Sequence, residues 1–122
     1  MNPSQLNTEE ACRQILQICR RLFVQKLHDY GASWRILRPE SLTDQIYIKA
    51  ERIRSLQTKG YAQVNEGIDV ELVAIVNYGL IGMIQLQLGA VSSPDISPEV
   101  ALELYDRFAE DTLQLMLAKN HD

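Results

Sequence analysis

At 122 residues and a net charge of −4, with 46% hydrophobic and 23% charged residues, the chain has the size and balance of one globular domain. That composition excludes the disordered, collagen-like and disulfide-stapled mini-protein classes. The charge is uneven: residues 26–59 hold seven Lys/Arg against four acids, and residues 60–122 hold two against ten. Most of the chain therefore repels nucleic acid, whereas a compact anion is attracted to the basic segment.

The pattern predicts an all-α, four-helix bundle-like domain with helices over about 8–29, 41–59, 66–88 and 98–118. The opening stretch MNPSQLNTEEACRQ lacks a charged-then-apolar leader pattern, which sets a cytoplasmic expectation. Asn7 or Thr8 can cap the first helix, with Glu9 and Glu10 favourably placed in its first turn. Ala11, Ile15, Ile18, Cys19, Leu22 and Phe23 recur at three-four spacing as its core face. Cys12 and Cys19 are seven apart, too distant along a helix to bridge, and read as reduced thiols. Gly31 supplies the residue that closes this helix.

Residues 31–40 read as a connector, because Pro39 disfavours helix at Arg38. Ser41 with Asp44 three residues on resembles a capping box for the second helix, whose expected core face is Leu42, Ile46, Ala50, Ile53 and Leu56. The third helix is apolar nearly all round from Leu72 to Leu86, the mark of a helix central to a bundle or shared between subunits, so a homo-oligomer is expected. Glu71, Asn77, Gln85 and Gln87 interrupt its apolar run and argue against a membrane span. After Gly89, the sequence Ser97-Pro98-Glu99 marks the start of a fourth helix with Val100, Leu104, Phe108, Leu115 and Met116 as its stripe.

The first and last helices also match at a shift of 93 residues, which aligns Lys26, His28 and Asp29 with Lys119, His121 and Asp122. This sets the expectation of a single domain, 1–122, that is a fragment ending where a second repeat begins.

Three groups of residues can carry chemistry. Asp29, before Tyr30 and Gly31, places a carboxylate on a turn, either for a metal or hydroxyl contact or for the backbone alone. Lys49 and Arg52 share a helical face, and Arg35 and Arg38 precede them; together they suit a phosphate, or they form salt bridges with Glu51 or Asp44. Glu66 and Asn77 lie three turns apart on the third helix, with Asp69 and Glu71 to either side. Carboxylates along helices are how bundles hold magnesium, whereas a hydrogen bond inside the core is the simpler role for Asn77. Trp34 can stack a base or anchor packing. No Ser-His-Asp constellation, GxGxxG or P-loop is present.

The segment KLHDYGASWRILRPESLTDQIYIKAERIRSL, followed by VNEGI and IVNYG, resembles the family of unknown function in bacteria and phages called nucleotide modification associated domain 1. The resemblance rests on Lys26, Asp29, Tyr30, Gly31, Lys49, Arg52, Glu66, Asn77 and Tyr78, over roughly residues 20–88. It implies an all-helical fold and an association with nucleotide or modified-base metabolism, without an established reaction. By analogy with helical nucleoside triphosphate pyrophosphatases of the MazG type, one looks for ExxE and ExxD; here the position three after Glu71 is Ala74.

The leading expectation is a module that binds a nucleotide or another phosphorylated small molecule through Lys26, Arg35, Lys49, Arg52 and Asn77. A second is a magnesium-dependent nucleotide pyrophosphohydrolase with Asp29, Glu66, Asp69 and Glu71 as metal ligands. A third is a structural dimerisation module whose polar residues only satisfy one another.

Overall fold

The computed structural model describes residues 3–59 and 64–119, and the side chains of 7–59 and 67–119. Its elements are α1 (Pro3–Tyr30), a short 3-10 helix (Ser33–Ile36), α2 (Pro39–Lys59), α3 (Val64–Leu88) and α4 (Pro98–Lys119). The architecture is an all-α four-helix bundle.

Local chemistry sets most helix ends. Gly31 and Gly89 both take positive φ, +62° and +80°. Their N–H groups return to Leu27 O and Gln85 O at 2.8 Å, satisfying carbonyls that a helix end would leave open. Ser97 Oγ accepts a hydrogen bond from Val100 N at 3.2 Å, with Pro98 in the first helical position as expected.

Two starts differ from the sequence reading. Helix α2 begins at Pro39 rather than Ser41, and its first bond runs from Leu42 N to Arg38 O. Proline at the first position needs no donor and arrives with a helical φ, so it outcompetes the Ser41–Asp44 box two residues on. Helix α1 likewise opens at Pro3, five residues before Thr8.

Helices α2 and α3 form an antiparallel hairpin. Leu56 lies 3.0 Å from where a Cβ on Gly67 would sit, and Gln85 at the other end of α3 reaches the carbonyl of Leu37 just before α2. Helix α4 runs antiparallel to α1 through the Arg13–Glu110 and Arg20–Asp106 pairs. These pairs are solvated, and each contributes little by itself.

The core gathers Phe23, Leu27, Trp34, Leu42, Leu80, Ile81, Ile84 and Tyr105, with Ala101 and Ala109 allowing α4 close approach. Phe23 stacks on Tyr105 with ring centroids 4.1 Å apart. The buried face of α4 is therefore Ala101, Tyr105, Ala109 and Leu113. Val100, Leu115 and Met116 are exposed, so the expected stripe is rotated by one residue. On α1 the core face is Cys19, Phe23 and Leu27, while Ile15 and Ile18 face solvent. Leu42 is fully buried on α2; Ile46, Ile53 and Leu56 are half-buried and Ala50 is exposed. Burial raises the Cys19 thiol pKa, in keeping with a packed, reduced cysteine.

The connector is held by Arg35, which is only 2% exposed. Its Nε and one terminal nitrogen donate to the two Asp95 carboxylate oxygens at 2.9 and 3.3 Å; the other terminal nitrogen donates to Gly89 O at 2.7 Å and to Gln85 Oε1. Gln85 Nε2 in turn faces the carbonyls of Trp34, Arg35 and Leu37 at 3.2, 2.8 and 2.6 Å. The single 3-10 turn of the connector leaves carbonyls open, and Gln85 on α3 satisfies them.

Residues Gly67–Leu88 are long and apolar enough to cross a membrane by length and composition. Core helices share that property, and here Asn77 and Gln85 direct their hydrogen bonds to α1, α4 and the connector.

Hydrogen bonds from Arg35 hold the Asp95 carboxyl below its ordinary value of 3.8, and those from Arg13 hold Glu110 below 4.5. A carboxylate with a lowered folded pKa stabilises the fold above its unfolded pKa and loses that contribution as pH falls through the folded one. The melting temperature is therefore expected to drop as pH is taken from about 5 to about 3, the carboxylate range. In Asp95→Asn, thermal melts across that interval should show a shallower drop.

Candidate functional site

Lys49 and Arg52 project from one face of α2, as their spacing requires, and both meet Glu71 on α3. Arg52 Nε lies 3.1 Å from Glu71 Oε1, and Lys49 Nζ lies 3.4 Å from Oε2. Glu71 is only 7% exposed, an unusual position for a carboxylate that two cations make tenable. The pairing is uneven. Lys49 is close enough to Oε2 to be an ion pair but not aligned as a hydrogen bond, so this buried oxygen has no hydrogen-bond donor. Arg52 uses Nε on Glu71 while its side chain is 67% exposed, which leaves its terminal nitrogens at the surface. Two cations around one carboxylate make a ledge of local charge +1 on the open side of the hairpin. Glu51 does not compete for them, because it accepts from Tyr47 Oη at 2.9 Å.

The other expected residues lie elsewhere. Asn77 is buried between helices: Nδ2 donates to Cys19 O at 3.0 Å and Oδ1 accepts from Tyr105 Oη at 2.7 Å. Burial pushes the Tyr105 hydroxyl pKa up, so it stays protonated and donates. Asn77 thus ties α1, α3 and α4. Arg35 is fully engaged in the connector and does not reach Lys49. Lys26 sits 5.7 Å over the Tyr30 ring, and Asp29 faces His28 at 3.3 Å, both at the exposed end of α1. That end adjoins the connector held by Gln85, fourteen residues along α3 from Glu71, or roughly 21 Å at 1.5 Å per residue. The sequence-predicted group is thereby divided: Lys49, Arg52 and Glu71 stand together, while Lys26 and Asp29 belong to the opposite end. Asp69 is exposed, and the side chain of Glu66 lies outside the described residues.

Among the described residues no three His, Cys, Asp or Glu side chains gather closely enough to hold a metal ion. Trp34 is a packing anchor, with its ring 6.3 Å from that of Phe23. Its buried Nε1 has no hydrogen-bond acceptor.

The residues that connect α2 to α3, and the connector to α3, all fall within one sequence window. A family model described as nucleotide modification associated domain 1 matches residues 26–86, half of the chain. The chain belongs to this family. The matched window of this nucleotide modification associated domain holds the last turn of α1, the connector, α2 and nearly all of α3, and so contains both the Arg35–Gln85 network and the Lys49–Arg52–Glu71 ledge. Asp95 and Tyr105, which complete the buried networks, lie beyond it. No curated relative and no solved structure matches the chain.

Sequence reasoning placed Lys49 and Arg52 on one face but named neither Glu71 as their partner nor Gln85 and Tyr105 as network members. Gln85 carried a usable signal: an amide inside an otherwise apolar helix must find partners. The choice of Glu71 depended on the α2–α3 register, which no local pattern encodes.

Proposed function

We propose that this domain binds a nucleotide, or another phosphorylated small molecule, on the Lys49–Arg52–Glu71 ledge. The observation that carries the reading is the buried Glu71 Oε2 without a hydrogen-bond donor, flanked by two cations. A buried acceptor left open is costly unless a ligand or solvent group completes it. The ledge supplies complementary groups. The Arg52 terminal nitrogens suit bidentate contact with phosphate oxygens, and Lys49 Nζ can lean from Glu71 toward a phosphate on its flexible stem. Glu71 Oε2 then accepts from a hydroxyl or amine of the same ligand, such as a ribose hydroxyl or an exocyclic amine. The family description, which concerns nucleotide modification, favours a nucleotide over other phosphates. In this reading the domain works in the cytoplasm, where such ligands are found.

Calorimetric titration with a panel of ribo- and deoxyribonucleotides tests this. Saturable binding to at least one is expected, weakened about tenfold or more in Lys49→Gln and in Arg52→Gln by loss of a charge-assisted contact. Each variant leaves Glu71 with one cation, so thermal melts of the ligand-free variants are recorded beside the titration, and the loss of affinity is read at a temperature where both remain folded. Absence of saturable heat with every nucleotide, with and without magnesium, would overturn the reading.

A further inference from the structure

Four of the described side chains carry sulfur, and three of them, Cys12 on α1, Met83 on α3 and Met116 on α4, line one groove of about 300 Å³. The fourth, Cys19, is fully buried in the core. The helix pairings set the three at nearly one level. Arg13, beside Cys12, reaches Glu110 of α4, and Thr112, two residues further along α4, contacts Met83. Met116 follows Thr112 by one turn, roughly 6 Å along the helix, a span its flexible side chain can cover.

The sulfurs are also available. Thr112 Oγ1 donates to Met83 Sδ at 3.9 Å, which uses one lone pair of the thioether and leaves the other for a ligand. Met83 and Met116 are exposed and Cys12 is half-buried, so solvent reaches all three.

The donors and their surroundings select the ion. Apart from Thr112, the rest of the groove is aliphatic, with no charged side chain and no imidazole. Thiolate and thioether are soft donors that suit Cu(I), whereas Cu(II) takes nitrogen and oxygen. Charge decides between the soft ions. Cu(I) on one thiolate and two neutral thioethers makes a neutral centre that an apolar groove can hold. Zn(II) on the same donors keeps a positive charge that nothing in the groove offsets.

We infer that Cys12, Met83 and Met116 form a three-sulfur site for Cu(I) in the groove between α1, α3 and α4. On binding, the Cys12 thiol releases its proton to solvent and its sulfur gives an electron pair to the metal, whose oxidation state does not change. The groove shares no residue with the Lys49–Arg52–Glu71 ledge, and neither proposal depends on the other.

Anaerobic titration of the reduced full chain against the Cu(I)–bicinchoninate complex tests it. The chain is expected to take one Cu(I) from the chelator, and X-ray absorption of the product should show a first shell of sulfur alone. Cys12→Ser should weaken binding about a hundredfold, and Met83→Leu and Met116→Leu about tenfold each. Methionine to leucine conserves volume, and none of the three positions is buried, so circular dichroism of every variant should match the parent. Cu(I) left entirely with the chelator would overturn the inference. So would a complex whose affinity neither methionine substitution changes, or one whose first shell contains nitrogen or oxygen.

Discussion

Arg35→Ala is expected to destabilise the domain by about 3–5 kcal/mol, the combined order of a buried acceptor left without its donor and the cavity left by a buried side chain. At about 4 °C per kcal/mol for a chain of this length, the melting temperature should fall by roughly 12–20 °C. The loss arises at several points. Gln85 Oε1 loses its donor in a buried setting, Gly89 O loses one at the end of α3, and the connector loses its tie to Asp95. Asp95 is about half exposed and can be rehydrated, as can Gly89 O, so most of the cost falls on the buried Gln85 Oε1 and on the space the side chain filled. Arg35→Lys separates charge from shape, because an ammonium cannot reproduce the planar fork that reaches Asp95, Gln85 and Gly89 together. It should recover less than half of the lost stability in urea denaturation.

Asn77→Ala should cost about 2–4 kcal/mol, combining an unpaired buried Tyr105 hydroxyl with a small cavity. This change also distinguishes a structural asparagine from a binding one. Asn77 points between α1 and α4, away from the Glu71 ledge. At temperatures where the variant stays folded, its nucleotide affinity should match the parent within about twofold, a small fraction of the effect of losing a direct hydrogen bond. Tyr105→Phe should show part of the same stability loss, since it leaves Asn77 Oδ1 open. Because the two side chains share one bond, the double substitution should cost less than the sum of the single ones.

These two sites show what the sequence made legible and what it did not. The helix stops at Gly31 and Gly89 and the start at Ser97-Pro98 were readable because each is decided by the backbone chemistry of one or two residues. The start of α2 falls two residues before Ser41 because two local signals compete there and Pro39 prevails. Buried faces were harder. Ile15, Ile18, Leu115 and Met116 continue apolar stripes yet remain exposed, while Ala101, Tyr105 and Ala109 take the interior of α4. Periodicity identifies an apolar stripe; which edge of it is covered depends on the neighbouring helices. The same distinction divides the candidate site. The shared face of Lys49 and Arg52 follows from helix geometry, whereas their pairing with Glu71, and the withdrawal of Arg35 into a network with Gln85 and Asp95, follow from the packing of α3 against α2 and the connector.

The proposed ledge is tested most directly by backbone amide chemical shifts recorded as a nucleotide is titrated into the uniformly labelled protein. Saturable shifts are predicted around Lys49–Arg52 and Gly67–Leu72, and they should disappear in Lys49→Gln. Shifts centred on Lys26–Gly31, or no saturable shift with any nucleotide, would contradict binding at the Lys49–Arg52–Glu71 ledge.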